Sequence, residues 1–110
     1  MTDCTPDELA TATTTCPGLL AELWAEWCPS CRVLTGTLER MEGEYADRIR
    51  FVRLNHGEYP EVAARHGIRS LPALLFFRRG ELAETTAGFT PPPALRARLD
   101  AFCASLDAKG

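Results

Sequence analysis

Lysine is almost absent from this sequence. Lys109 stands alone, and every other strongly basic side chain is an arginine. Nor is there an excess of positive charge: the net charge is -3, which argues against a general affinity for nucleic acid or for an anionic membrane. The arginine preference is a bias of composition, not a binding patch. Long apolar runs are missing too. Stretches such as Leu71–Phe77 fall far short of the roughly 20 residues that cross a bilayer as a helix. The segment Met1–Ala10 is polar and acidic. It has no basic start, apolar core or cleavage site, so it does not read as a secretory leader, and a cytoplasmic location is expected. Internal repeats, low-complexity tracts and long linkers are absent as well.

What is present suits one compact domain. The 110 residues suffice for a single unit, residues 1–110, with an N-terminal helix and turn over 1–18 and a core over 19–106. A hydrophobic share of 45% supplies a core without covalent staples. The five cysteines are Cys4, Cys16, Cys28, Cys31 and Cys103. Their odd number and irregular spacing do not fit a disulfide-stapled scaffold. In a reducing compartment, the C-x-x-C pair Cys28/Cys31 points to redox catalysis or metal binding.

The pattern along the chain alternates helices and strands. Thr5-Pro6-Asp7-Glu8 combines a capping threonine, a proline at the first helical position and a glutamate that completes a capping box. That helix should end near Thr15, before Cys16-Pro17-Gly18. Leu19–Ala25 is nearly all apolar, as a strand covered on both faces must be, with Glu22 as the exception. Pro29–Ala46 carries Val33, Leu34, Thr37, Leu38, Met41 and Tyr45 at helical spacing. Ile49–Leu54 reads as a strand and Tyr59–His66 as a short helix closed by Gly67. Ala73–Phe77 and Leu82–Ala87 form a hairpin around Arg78-Arg79-Gly80-Glu81. Pro91–Pro93 opens a final helix to about Leu106, with Leu95, Leu99, Phe102 and Leu106 as its core stripe. Strands alternating with helices, then a hairpin and a covering helix, predict an α/β fold with a mixed central sheet between helices.

The chemistry concentrates in Trp24-Ala25-Glu26-Trp27-Cys28-Pro29-Ser30-Cys31. Here a buried strand gives way to a helix. Cys28 is expected just before that helix and Cys31 in its first turn. The spacing brings the two sulfurs close. Unpaired N–H groups and the positive end of the helix face the Cys28 sulfur and favour its thiolate, the attacking species in disulfide exchange. Cys28 is expected to be accessible and Cys31 more buried.

With these residues in view, the sequence resembles the thioredoxin family. The resemblance runs from about Leu19 to Phe102. It includes the Trp24–Cys28 approach, Tyr45, Arg53-Leu54-Asn55, the segment Gly67-Ile68-Arg69-Ser70-Leu71-Pro72-Ala73-Leu74-Leu75-Phe76, Gly80 and Gly88. A dithiol, a downstream Ile-x-x-Leu-Pro and a late glycine in that order are specific together. The resemblance implies a thioredoxin fold and a protein thiol–disulfide oxidoreductase. It makes Cys28 the nucleophile, Cys31 the resolving thiol and Pro72 a cis-proline against the dithiol. Glu22 takes the place of the family's buried acid, which moves protons at the resolving cysteine. Trp27, Ser70, Leu71, Gly88 and Phe89, with the intervening Pro29 and Ser30, would line the substrate groove. Implied partners are protein disulfide substrates and a thioredoxin reductase or similar donor. The chain would act as a monomer, with no metal and no cofactor beyond the Cys28–Cys31 disulfide.

Several residues depart from the family pattern. Pro29-Ser30 replaces the usual Gly-Pro between the cysteines and implies a potential less reducing than that of a typical thioredoxin. Glu22 replaces an aspartate. Arg53 replaces a lysine and, being permanently charged, is expected to hold Glu22 ionised. Only Met1–Cys4 precedes the first helix, so the family's first strand is expected to be missing, leaving about four strands. Two other readings compete. A zinc site would need four ligands, and one C-x-x-C gives two. A thioredoxin-fold binding or regulatory module would keep the dithiol with little turnover. Cys4, Cys16 and Cys103 read as bystanders, and His56 and His66 as surface or capping residues.

Overall fold

Each face of the central sheet is built by period-two alternation in its strands. A computed structural model describes residues 1–107. Lys109 and the end of the expected 1–110 domain lie outside the described residues. The elements are β1 (Thr2–Asp3), α1 (Pro6–Thr15), β2 (Gly18–Trp24), α2 (Pro29–Tyr45), β3 (Arg50–Asn55), α3 (Pro60–Arg65), β4 (Ala73–Arg78), β5 (Glu81–Ala87) and α4 (Pro92–Asp107). The strands form one mixed sheet in the order β1-β3-β2-β4-β5. β1 and β2 run parallel to β3, while β4 runs antiparallel to β2 and to β5.

On one face, Leu20, Phe51, Leu74 and Phe76 pack beneath α2 and α4, against Leu34, Leu38, Leu95, Leu99 and Phe102. On the other, Leu19, Ala21, Leu23, Val52 and Leu75 pack against Leu9 and Ala12 of α1 and Val62 and Ala63 of α3. β2 is the central strand, and its first six residues are buried. The alternation puts Glu22 on the same face as Leu20, under α2.

Local signals explain where elements start and stop. The Thr5 side chain accepts from the Glu8 N–H at 3.2 Å, and the Glu8 carboxylate accepts from the Thr5 N–H at 2.9 Å, completing the capping box. The hairpin turns through Arg79 and Gly80, whose φ values of 50° and 89° are both left-handed, as a tight two-residue β-turn requires. At the start of β2, a Cβ on Gly18 would lie 2.8 Å from the Arg48 carbonyl oxygen and 2.7 Å from Leu106. Only glycine lets α4 and the turn between α2 and β3 approach so closely.

The strand count corrects the sequence expectation: the sheet has five strands, not four. Thr2 and Asp3 pair in parallel with Val52 and Arg53, and the Cys4 N–H continues the ladder to the Arg53 carbonyl at 2.9 Å. An exposed strand of 2 residues has no alternation for sequence reading to detect.

Candidate functional site

The dithiol sits where β2 hands over to α2. Cys28 is the N-cap of α2, with φ −108° and ψ 99°, and Pro29 takes the first helical position. Proline fits there because its missing N–H would have no helical partner anyway. Cys31 completes the first turn. Cys28 and Cys31 are joined as a disulfide, with Cα atoms 5.3 Å apart. The Cys31 N–H donates to Cys28 Sγ at 3.2 Å, and the Ser30 hydroxyl lies 3.5 Å from the same sulfur.

Cys28 is more covered than the sequence suggested, at 4% exposure against 1% for Cys31. The two sulfurs share a small apolar cluster with Ala25, packed by Trp24 and Leu71. The Leu71–Pro72 peptide is cis, and the Gly88 N–H donates to the Pro72 carbonyl at 2.8 Å. The cis bond thus joins Leu71, which packs against the dithiol, to Pro72, which is tied to the distant Gly88. Trp27 projects into solvent at 71% exposure, and Phe89 is exposed at 43%. Pro29 and Ser70 are exposed as well.

Glu22 is fully buried. Its Oε1 accepts from the Thr35 hydroxyl at 2.7 Å, while Oε2 has no partner. Burial pushes its carboxyl up to about 7, against smaller opposing effects of the Thr35 hydrogen bond and the Arg53 charge. Arg53 favours the ionised form as expected, but burial outweighs it, so it does not hold Glu22 ionised. Arg53 lies opposite Glu22 in the β2–β3 register, but its guanidinium is engaged elsewhere. Nε donates to Asp3 Oδ1 at 2.7 Å, and Cζ lies 4.4 Å from the Trp24 ring centroid. A cleft of about 410 Å³ opens beside Cys31 and is lined by Trp24, Thr35, Glu39 and Arg53 among others.

Sequence reading missed Thr35 and Asp3. Thr35 falls four residues after Cys31, a polar residue on the buried side of α2, and that polarity was the available signal. Asp3 carried none, because its role depends on a strand too short to recognise. Cys4 is half-buried and lies close to Glu8 and Asp3, and its thiol is pushed up to about 11, chiefly by burial. That makes it a poor nucleophile. Among the described residues, no group of three or more His, Cys, Asp or Glu side chains could hold a metal ion. No described helix is long and apolar enough to cross a membrane.

Comparison with known proteins agrees with this geometry. The chain superimposes on the crystal structure of the Malassezia sympodialis thioredoxin with a TM-score of 0.84, covering 94% of this chain and 90% of that one at 23% identity. The fold is thus the thioredoxin fold. In sequence, it is 37% identical to the thioredoxin of Bacillus subtilis over 78 residues, 71% of this chain and 75% of that protein. It is 40% identical over 73 residues to the chloroplastic M-type thioredoxin of Chlamydomonas reinhardtii, 66% of this chain, and spans 52% of that protein's length. The sequence model of the Thioredoxin family matches residues 7–101, and on that match the chain belongs to the thioredoxin family.

Proposed function

We propose that this protein is a protein thiol–disulfide oxidoreductase that cycles Cys28 and Cys31 between dithiol and disulfide. The observation that carries this reading is the Cys28–Cys31 disulfide at the N-terminus of α2, with Leu71 packed against it. In the reductive direction, the Cys28 thiolate attacks a substrate disulfide. A Cys28–substrate disulfide forms and one substrate sulfur leaves as a thiolate. Cys31 then loses its proton and attacks Cys28 Sγ, releasing the second substrate sulfur and closing the disulfide. The redox pair is the two cysteines themselves, with no metal and no further cofactor.

The chain's own groups fit these steps. The Cys31 N–H, aimed at Cys28 Sγ, and the positive end of α2 stabilise negative charge on that sulfur. Glu22, protonatable near neutral pH, is the acid–base group for the Cys31 thiol. Leu71 and Pro72 offer backbone to an extended substrate chain. Trp27, Pro29, Ser30, Ser70, Gly88 and Phe89 form the rim of that groove. Exposed aromatics such as Trp27 and Phe89 suit a protein partner better than a small molecule.

The Ser30 hydroxyl beside Cys28 Sγ adds a donor for the thiolate, which stabilises the reduced form. It supports a potential less reducing than that of a typical thioredoxin. Equilibration with defined glutathione buffers measures this, and a strongly reducing value contradicts it. The electron donor in this reading is a thioredoxin reductase or a similar enzyme, and the protein works as a cytoplasmic monomer.

The function is tested by trapping. With Cys31→Ser, a protein disulfide substrate should accumulate as a mixed disulfide on Cys28, visible by mass. If no adduct forms on Cys28, the proposal fails and a binding module with an idle dithiol takes its place.

A further inference from the structure

Thr35 occupies an unusual position between the buried acid and the resolving cysteine. Its Oγ1 lies 2.7 Å from Glu22 Oε1 and 2.9 Å from the Cys31 carbonyl oxygen. Both are acceptors when Glu22 is ionised. A hydroxyl has one proton, so it can donate to only one of them at a time. The competition is resolved by the charge of Glu22. A protonated Glu22 becomes a donor itself. It can then give its own O–H to Thr35 Oγ1, leaving the hydroxyl proton free for the Cys31 carbonyl.

We propose that Thr35 is a positioning residue that couples the protonation of Glu22 to the backbone of Cys31. With Glu22 ionised, Thr35 donates to the carboxylate and the Cys31 carbonyl loses that bond. With Glu22 protonated, the chain of hydrogen bonds runs from Glu22 through Thr35 to Cys31. No electron moves and no covalent bond beyond the carboxyl O–H is made or broken. The turn of α2 that carries the resolving thiol therefore gains or loses one hydrogen bond with each protonation of Glu22. This deepens the proposed function and rests on the reading of Glu22 as a proton-exchanging group.

The surroundings leave Thr35 as the only hydrogen-bond partner found for the Glu22 carboxyl among the described residues. From α2, Glu39 contributes a repelling charge, and from β3, Arg53 contributes an attracting one. From β4, the register neighbour of Glu22 is the apolar Leu74. Arg53 is bonded to Asp3. Thr35 also lines the cleft beside Cys31, so the coupling reaches the solvent side of the site.

The test follows carbon-13 resonances of the Glu22 carboxyl and the Cys31 carbonyl across pH in the full-length disulfide form. In the wild type, the Cys31 carbonyl should titrate with the same midpoint as Glu22. In Thr35→Val, which keeps the branched shape and removes the hydroxyl, the Glu22 midpoint should rise, because the ionised form loses its donor. The Cys31 step should vanish. Thr35→Ser should restore it. In Glu22→Gln, the Cys31 carbonyl should not respond over the same pH range, which keeps the test decisive if Thr35→Val folds poorly. A flat Cys31 carbonyl in the wild type, or a step that persists in Thr35→Val or Glu22→Gln, overturns the proposal. The proton role of Glu22 is read separately, by the rate of mixed-disulfide resolution in Glu22→Gln. An unchanged rate there rejects that role whatever the carbonyl shifts show.

Discussion

The Arg53 guanidinium lies over the Trp24 ring, 4.4 Å from its centroid, with its Nε–H bonded to Asp3. The cation nearest to Glu22 in the strand register is thus held by a ring and by a carboxylate on β1. At Glu22, burial outweighs the attraction of this cation. Cation–π and exposed ion-pair contacts are each modest in energy, so loss of one partner should let Arg53 turn.

Asp3→Asn should free Arg53 to approach Glu22. An opposite charge at close range lowers a carboxyl pKa by about 1 or more, so the Glu22 midpoint should fall by about one pH unit. Carbon-13 titration of the carboxyl checks this. In an Arg53→Gln background, Asp3→Asn should have no further effect. A fall that persists there would reflect the field of Asp3 itself and contradict the anchoring role.

Glu22 should also shape stability against pH. Its carboxyl is raised from 4.5 to about 7 in the fold. The folded state therefore holds this proton more tightly than the unfolded chain does. The stabilisation is fully present below about pH 4.5 and is lost as pH rises through about 7, amounting to about 3 kcal/mol. Urea unfolding of the disulfide form should show Glu22→Gln gaining on the wild type as pH rises from 4.5 to 8. Parallel curves for the two proteins would show that Glu22 is not shifted.

Trp27 and Phe102 should separate function from stability. Trp27 is 71% exposed, whereas Phe102 is fully buried between α4 and the sheet. Trp27→Ala should change stability by less than about 0.5 kcal/mol and raise the KM for a protein disulfide. Phe102→Ala should cost about 3–5 kcal/mol, and at temperatures where it remains folded its KM should match the wild type. The pair of measurements is chemical unfolding and steady-state turnover.

Much of this architecture was legible because its signals are local. The capping box at Thr5, the apolar run of β2, the helical stripe of α4 and the left-handed turn at Arg79-Gly80 each declare themselves within a few residues. The candidate site was suggested for a second reason: Cys28, Cys31, Pro72 and Gly88 occur in a family-specific order. What escaped depends on contacts between distant segments. The β1 strand has only Thr2 and Asp3, and its existence rests on pairing with Val52 and Arg53. The net rise at Glu22 was not legible because the sequence places Arg53 nearby but does not show how completely the fold buries the carboxyl, and burial outweighs the Arg53 charge. Thr35 was overlooked because a helical threonine gains meaning only when the facing strand places a carboxyl opposite it.

The central claim is that Cys28 and Cys31 turn over protein disulfides, with Cys28 as the attacking sulfur. Insulin reduction in the presence of dithiothreitol tests it most directly. The wild-type protein should speed precipitation of the reduced B chain well beyond dithiothreitol alone, and Cys28→Ser should lose that acceleration. A wild-type protein no faster than dithiothreitol alone, or a Cys28→Ser variant that keeps the wild-type rate, would contradict the account.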